Sequence, residues 1–190
     1  MEIIYHCFPK YHWVSEIKKA RQRLDTTEGK INSIEDALTQ ANQCAISYLH
    51  KDNSFWKNMF RHKTSTLRCY HYALYTYGCF LDLTQTKPEL QQNVFLVTGF
   101  THTTKERENI RFDDVIGIHA FLEDMSLRDS FFFEPVPGNQ EFFQKEGINY
   151  MPSTRIRFTS GGDLIIKKDE RAIKFISDYT FQRRWKEFFG

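Results

Sequence analysis

Cys69, His119 and Glu134 are the residues whose types and spacing could do nucleophilic chemistry. Cys69 lies in the stretch 64–78, where Tyr70, Ala73, Leu74 and Tyr77 recur at helical spacing and predict one buried stripe. Ser65 or Thr66 can cap the start of this helix and Gly78 its end. Cys69 is therefore expected in the first turn, where unpaired N–H groups and the positive end of the helix dipole converge. That setting favours the thiolate, the reactive form of cysteine, and the same N–H groups can stabilise an oxyanion. A cysteine beside an apolar stripe is more often simply a small buried residue, so the reading depends on partners.

His119 follows 50 residues later (119 − 69) in the stretch 114–124. Strand alternation puts Gly117, His119, Phe121 and Glu123 on one face, and Ile116, Ile118, Ala120 and Leu122 on the other. Gly117 leaves space beside the imidazole. Glu134 ends an aromatic run, 130–134, directly before Pro135. A carboxylate at the end of a neighbouring strand can accept a hydrogen bond from the imidazole, fix its tautomer and stabilise the imidazolium. Asp124 and Asp129 are the alternative acids. Taken singly, a strand histidine and a strand-end glutamate are ordinary polar residues.

The elements that must position these groups follow from periodicity and turn residues. Helices are expected over 13–24 and from Ser33, as a cap, through the stripe Ile34, Ala37, Leu38, Ala41, Ala45, Tyr48 and Leu49. Residues 55–60 predict a short aromatic turn or helix. Strands are expected over 93–100, 114–124 and 130–134, with a polar loop at 101–112. Residues 154–158 and 163–167 predict a hairpin around Thr159-Ser160-Gly161-Gly162. Asp169 caps a closing helix whose apolar residues are Ile173, Ile176, Phe181, Trp185 and Phe188. Helices first, then an antiparallel sheet, then a helix predict an α+β fold. The chain reads as one domain, 1–190, with an N-terminal helical part (about 1–62) and a C-terminal hairpin plus helix (about 154–190).

Three pieces of this order resemble the transglutaminase-like superfamily of papain-like cysteine enzymes. They are Arg68-Cys69-Tyr70-His71-Tyr72-Ala73, His119-Ala120-Phe121-Leu122-Glu123 and Phe131-Phe132-Phe133-Glu134-Pro135. Val97-Thr98-Gly99-Phe100 is similar to the Val-x-Gly strand between Cys and His in that superfamily. The likeness spans roughly residues 60–138. Phe121 stands where the family has Trp, and Glu134 where it has Asp. The resemblance implies a papain-like core and acyl transfer. Cys69 would attack a peptide or glutamine carboxamide carbonyl, His119 would move the proton, Glu134 would orient His119, and the Cys69 N–H would bind the oxyanion. A protease, amidase, deamidase or transglutaminase would all fit, with no cofactor. No second oxyanion donor matches; Gln43, Trp56 and His62 are candidates by proximity to the helix.

Composition bounds the remaining readings. With 190 residues, 41% hydrophobic and 18 Phe, the chain is expected to build one sizeable core. A net charge of +2 with both signs interspersed gives no electrostatic case for nucleic acid. Four cysteines without a CxxC pair predict reduced thiols rather than a disulfide framework or a zinc site. No apolar run approaches a membrane span, and the first residues lack a secretory pattern. A cytoplasmic location, or export without a classical signal, is the expectation, with a protein or peptide substrate as partner. Two alternatives stand beside the transglutaminase-like one. One is a peptidoglycan hydrolase of the NlpC/P60 type, whose His strand resembles Ile118-His119-Ala120-Phe121-Leu122. The other is a non-catalytic α+β interaction module using the basic, aromatic C-terminus.

Overall fold

A computed structural model describes residues 31–51, 65–104, 110–126, 130–158 and 163–189. The expected helix at 13–24, the aromatic turn at 55–60, Cys7, Trp56, His62, Asp129 and the hairpin turn at 159–162 lie outside them. Helix α1 (Ile34–Lys51) starts as the sequence requires: Ser33 Oγ accepts the Asp36 N–H at 3.0 Å, and Glu35 and Asp36 occupy the first turn, facing the positive dipole end. Its buried stripe is Ala37, Leu38, Ala41, Ala45 and Leu49. These small and aliphatic residues let it pack closely on α2 (Ser65–Leu83), which answers with Ala73, Leu74, Tyr77 and Phe80.

Helix α2 runs past Gly78, which had been expected to end it. Cys79, Phe80, Leu81 and Leu83 are all buried, so packing beyond the glycine outweighs the roughly 1 kcal/mol that glycine costs inside a helix. One-turn α3 (Pro88–Gln91) leads into β1 (Val94–His102). A 3-10 turn at Phe112–Asp114 precedes β2 (Val115–Asp124). Then come β3 (Phe131–Phe133), α4 (Asn139–Lys145), β4 (Asn149–Phe158), β5 (Leu164–Lys168) and α5 (Glu170–Phe189). The described residues thus form an α+β fold with five α-helices and a five-stranded antiparallel sheet, ordered β3-β2-β1-β4-β5. None of these helices is long and apolar enough to cross a membrane.

Alternation sorts the sheet residues. Val94 and Leu96 of β1, Ala120 and Leu122 of β2 and Ile156 of β4 join the core under α1 and α2. Phe95, Val97 and Phe121 form a second cluster with Phe132 and Tyr150. Glu123 is fully buried and held by the Arg155 guanidinium, Nε to Oε2 at 2.5 Å and Nη2 to Oε1 at 3.0 Å. Helix α5 closes a third cluster, setting Ala172 and Ile176 beside Phe100, with Phe175 stacked on that ring at 4.9 Å. Asp169 caps α5 as expected, its Oδ1 accepting the N–H groups of Arg171 and Ala172. Phe181, expected on the apolar stripe, is instead 66% exposed.

Strand β4 begins earlier than the sequence suggested, because its first half pairs with β1 through an irregularity. The register shifts between Thr98 and Gly99, and Pro152 stands opposite Gly99. A Cβ on Gly99 would lie 2.1 Å from the Met151 carbonyl oxygen, so the close approach of β4 admits only glycine there. Gly99 is also the register partner of His119. Thr101 and His102, expected in a loop, extend β1 by pairing with both neighbours.

Candidate active site

Cys69 is the fifth residue of α2, counting from Ser65, and not in its first turn. An N–H at that depth has an intrahelical carbonyl four residues back, so it is not one of the orphan donors expected there. The side chain is buried, at 4% exposure, among the residues that pack α2 on α1 and the sheet. Among the described residues, Cys44, Cys69 and Cys79 form no disulfide.

His119 is brought to Cys69 by an edge. Strand β3 pairs only with Leu122, Glu123 and Asp124, so the part of β2 carrying His119 has β1 on one side and no strand on the other among the described residues. The chain leaving β3 places Glu134 at this edge. His119 Nε2 meets Glu134 Oε2 at 2.5 Å, and the His119 side chain is also hydrogen-bonded to Cys69. With Nε2 committed to the carboxylate, Nδ1 is the ring nitrogen left for the sulfur. The imidazole therefore bridges thiol and carboxylate.

The carboxylate itself is fully enclosed, and both oxygens are occupied. Oε1 accepts the Val136 N–H at 2.9 Å, and Oε2 accepts the Tyr150 hydroxyl at 3.2 Å as well as facing His119. The Glu134 N–H donates to Gln140 Oε1 of α4 at 3.2 Å. The competing acids are engaged elsewhere. Glu123 is neutralised by Arg155, and Asp124 accepts the Ser126 N–H and hydroxyl at 2.8 and 2.9 Å. Burial opposes charge on His119, but hydrogen bonds to Cys69 and Glu134 and the negative charge of both outweigh it. The imidazole pKa is pushed up from 6.5 to about 10.

The surroundings of the imidazole are aromatic. Phe143 of α4 meets its ring edge-on at 5.5 Å, Phe121 lies nearly parallel at 6.4 Å, and Tyr150 stands 6.3 Å away. Gly117, on the same strand face, has open space where a Cβ would point. Tyr150, Phe143 and Gln140 carry no local signal for this role: each lies in a segment that sequence periodicity left unassigned. The one usable hint was strand-like Tyr150-Met151 before Pro152. Gln43 lies exposed on α1. Among the described residues, no group of three or more His, Cys, Asp or Glu side chains is arranged to hold a metal ion.

Comparison with protein-family models, curated proteins and solved structures gives no significant match for this chain.

Proposed function

We propose that this protein is a cysteine-dependent acyl-transfer enzyme of transglutaminase-like type, with Cys69 as nucleophile, His119 as general base and acid, and Glu134 as the group that orients His119. The observation that carries the reading is the His119 ring, hydrogen-bonded to the Cys69 thiol on one side and to the buried Glu134 carboxylate on the other. The imidazole is placed to take the thiol proton as the sulfur attacks. Attack on a carboxamide or peptide carbonyl forms the S–C bond. His119 then protonates the departing amine, and the acyl group passes to water or to a second amine. Glu134 keeps the imidazole in the tautomer and orientation that both transfers need. The order of helix, glycine-bearing strand, His strand and Glu-Pro step is what the papain-like reading rests on. All three side chains are largely buried.

The test is a labelling race followed by a substrate panel. At neutral pH, iodoacetamide should modify Cys69 well before Cys7, Cys44 or Cys79, read by mass spectrometry of the digested protein. Glutamine-containing peptides, with and without an added primary amine, then separate hydrolysis from transamidation. Equal, slow labelling of all four cysteines would sink the reading in favour of a non-catalytic module.

A further inference from the structure

Taking Cys69, His119 and Glu134 as the machinery proposed above, we propose that Tyr150 is a fourth, positioning residue: it holds the Glu134 carboxylate in place and takes a share of the charge that His119 would otherwise receive. Tyr150 is the second residue of β4 and pairs with Thr101 of β1, so its backbone is set by the sheet and not by a loop. Its hydroxyl donates to Glu134 Oε2, the same oxygen that faces His119 Nε2. The Val136 N–H takes the other oxygen. Rotation of the carboxylate is thereby blocked at both ends.

The ring is fixed before the hydrogen bond is counted. It lies 4.7 Å from Phe121, 5.3 Å from Phe132 and 5.7 Å from Phe143. Packing alone would be served as well by phenylalanine, and a buried hydroxyl is costly unless it is bonded. Among the described residues, the partner of this hydroxyl is the carboxylate. Its direction is unambiguous as well. Burial, the Glu134 charge and the hydrogen bond all hold the phenol protonated, so it acts as a donor across the working range. Among the described residues, the ionisable groups acting on His119 are Cys69 from α2 and Glu134, and the one acting on Tyr150 is Glu134.

Charge shared with the phenol is charge not spent on the imidazolium. Without the hydroxyl, Oε2 binds the imidazolium more tightly, and His119 gives up its proton less readily. A purely structural tyrosine would change stability and leave this proton affinity alone.

The experiment follows His119 by NMR in full-length protein carrying 15N-labelled histidine, as wild type, Tyr150→Phe and His119→Gln for assignment. The pH dependence of Cys69 alkylation is measured in parallel. Tyr150→Phe is expected to raise the His119 midpoint by about 1 to 2 pH units, the scale set by one hydrogen bond to a charged group. It should also move the Nε2–H proton resonance downfield at neutral pH and shift the alkylation profile the same way. An elevated wild-type midpoint that Tyr150→Phe leaves unchanged or lowers overturns the role of Tyr150 and spares the triad. A wild-type midpoint near 6.5 overturns both. If Tyr150→Phe populates unfolded protein, the Nε2–H resonance of its folded fraction still reads the downfield shift, or its absence.

Discussion

Helix α2 carries two buried cysteines ten residues apart (79 − 69), about 15 Å along the axis, and they have opposite surroundings. Cys79 sits in the α1–α2 core. Burial pushes its thiol pKa up, and the nearby Cys44 and Asp82 charges push it further. Cys69 is nearly as buried, yet it faces an imidazole that a carboxylate holds from behind. Burial therefore does not separate the two; a polar partner does. At the Cys79 end, helix meets helix, and the contacts are mostly apolar, with the Thr76 hydroxyl donating to Asn42 Oδ1 at 2.9 Å across the seam. At the Cys69 end, helix meets an open strand edge, and the space is filled by a histidine and a buried acid.

The sharpest way to break this contrast is to exchange the outcomes of two alanine substitutions. Cys69→Ala should remove the fast-labelling thiol and reduce turnover on the order of a millionfold, the scale for losing a nucleophile. Cys79→Ala should change neither, and full turnover in Cys69→Ala would end the mechanism. Next in size is His119→Ala, which should slow both turnover and Cys69 alkylation by about 100-fold or more, because it takes away the proposed base. Alkylation of Cys79, measured in the same digest, should stay at its wild-type rate. Glu134→Gln should cost less than His119→Ala, since the base remains and only its orientation and charge support weaken. A Glu134→Gln loss equal to that of Cys69→Ala would show that the carboxylate does more than orient.

Smaller effects concern stability. His119 binds its proton more tightly folded than unfolded, so its contribution is fully present below pH 6.5 and fades as pH rises toward about 10. Urea unfolding of wild type should therefore lose ground to His119→Gln across that window, and parallel pH profiles would contradict the bridged imidazole. The smallest effect is Cys79→Ala, expected to cost about 1 kcal/mol for one lost buried sulfur, partly offset by the better helix propensity of alanine. Its unfolding midpoint checks this directly.

What the sequence alone determined is local and periodic. The stripe of α1, the Ser33 and Asp169 caps, the β2 alternation and the α+β order follow from spacings of two, three and four residues. The steric and hydrogen-bonding causes of those spacings act within a few residues. Cys69, His119 and Glu134 could be named as a set because each sits at a recognisable place in such an element. Tertiary structure decided the rest. Gly78 stays inside α2 because Cys79, Phe80 and Leu83 find a core to fill. Sequence named Glu134 with Asp124 and Asp129 as alternatives; that Ser126 engages Asp124, and Arg155 the neighbouring Glu123, is visible only in the folded chain. Tyr150 reaches Glu134 only because β4 crosses back beside β1, through a bulge that Gly99 permits. The Tyr150–Glu134 and Arg155–Glu123 contacts join residues 16 and 32 positions apart, and nothing in the local preferences of either partner encodes the meeting; strand register and edge geometry fix it.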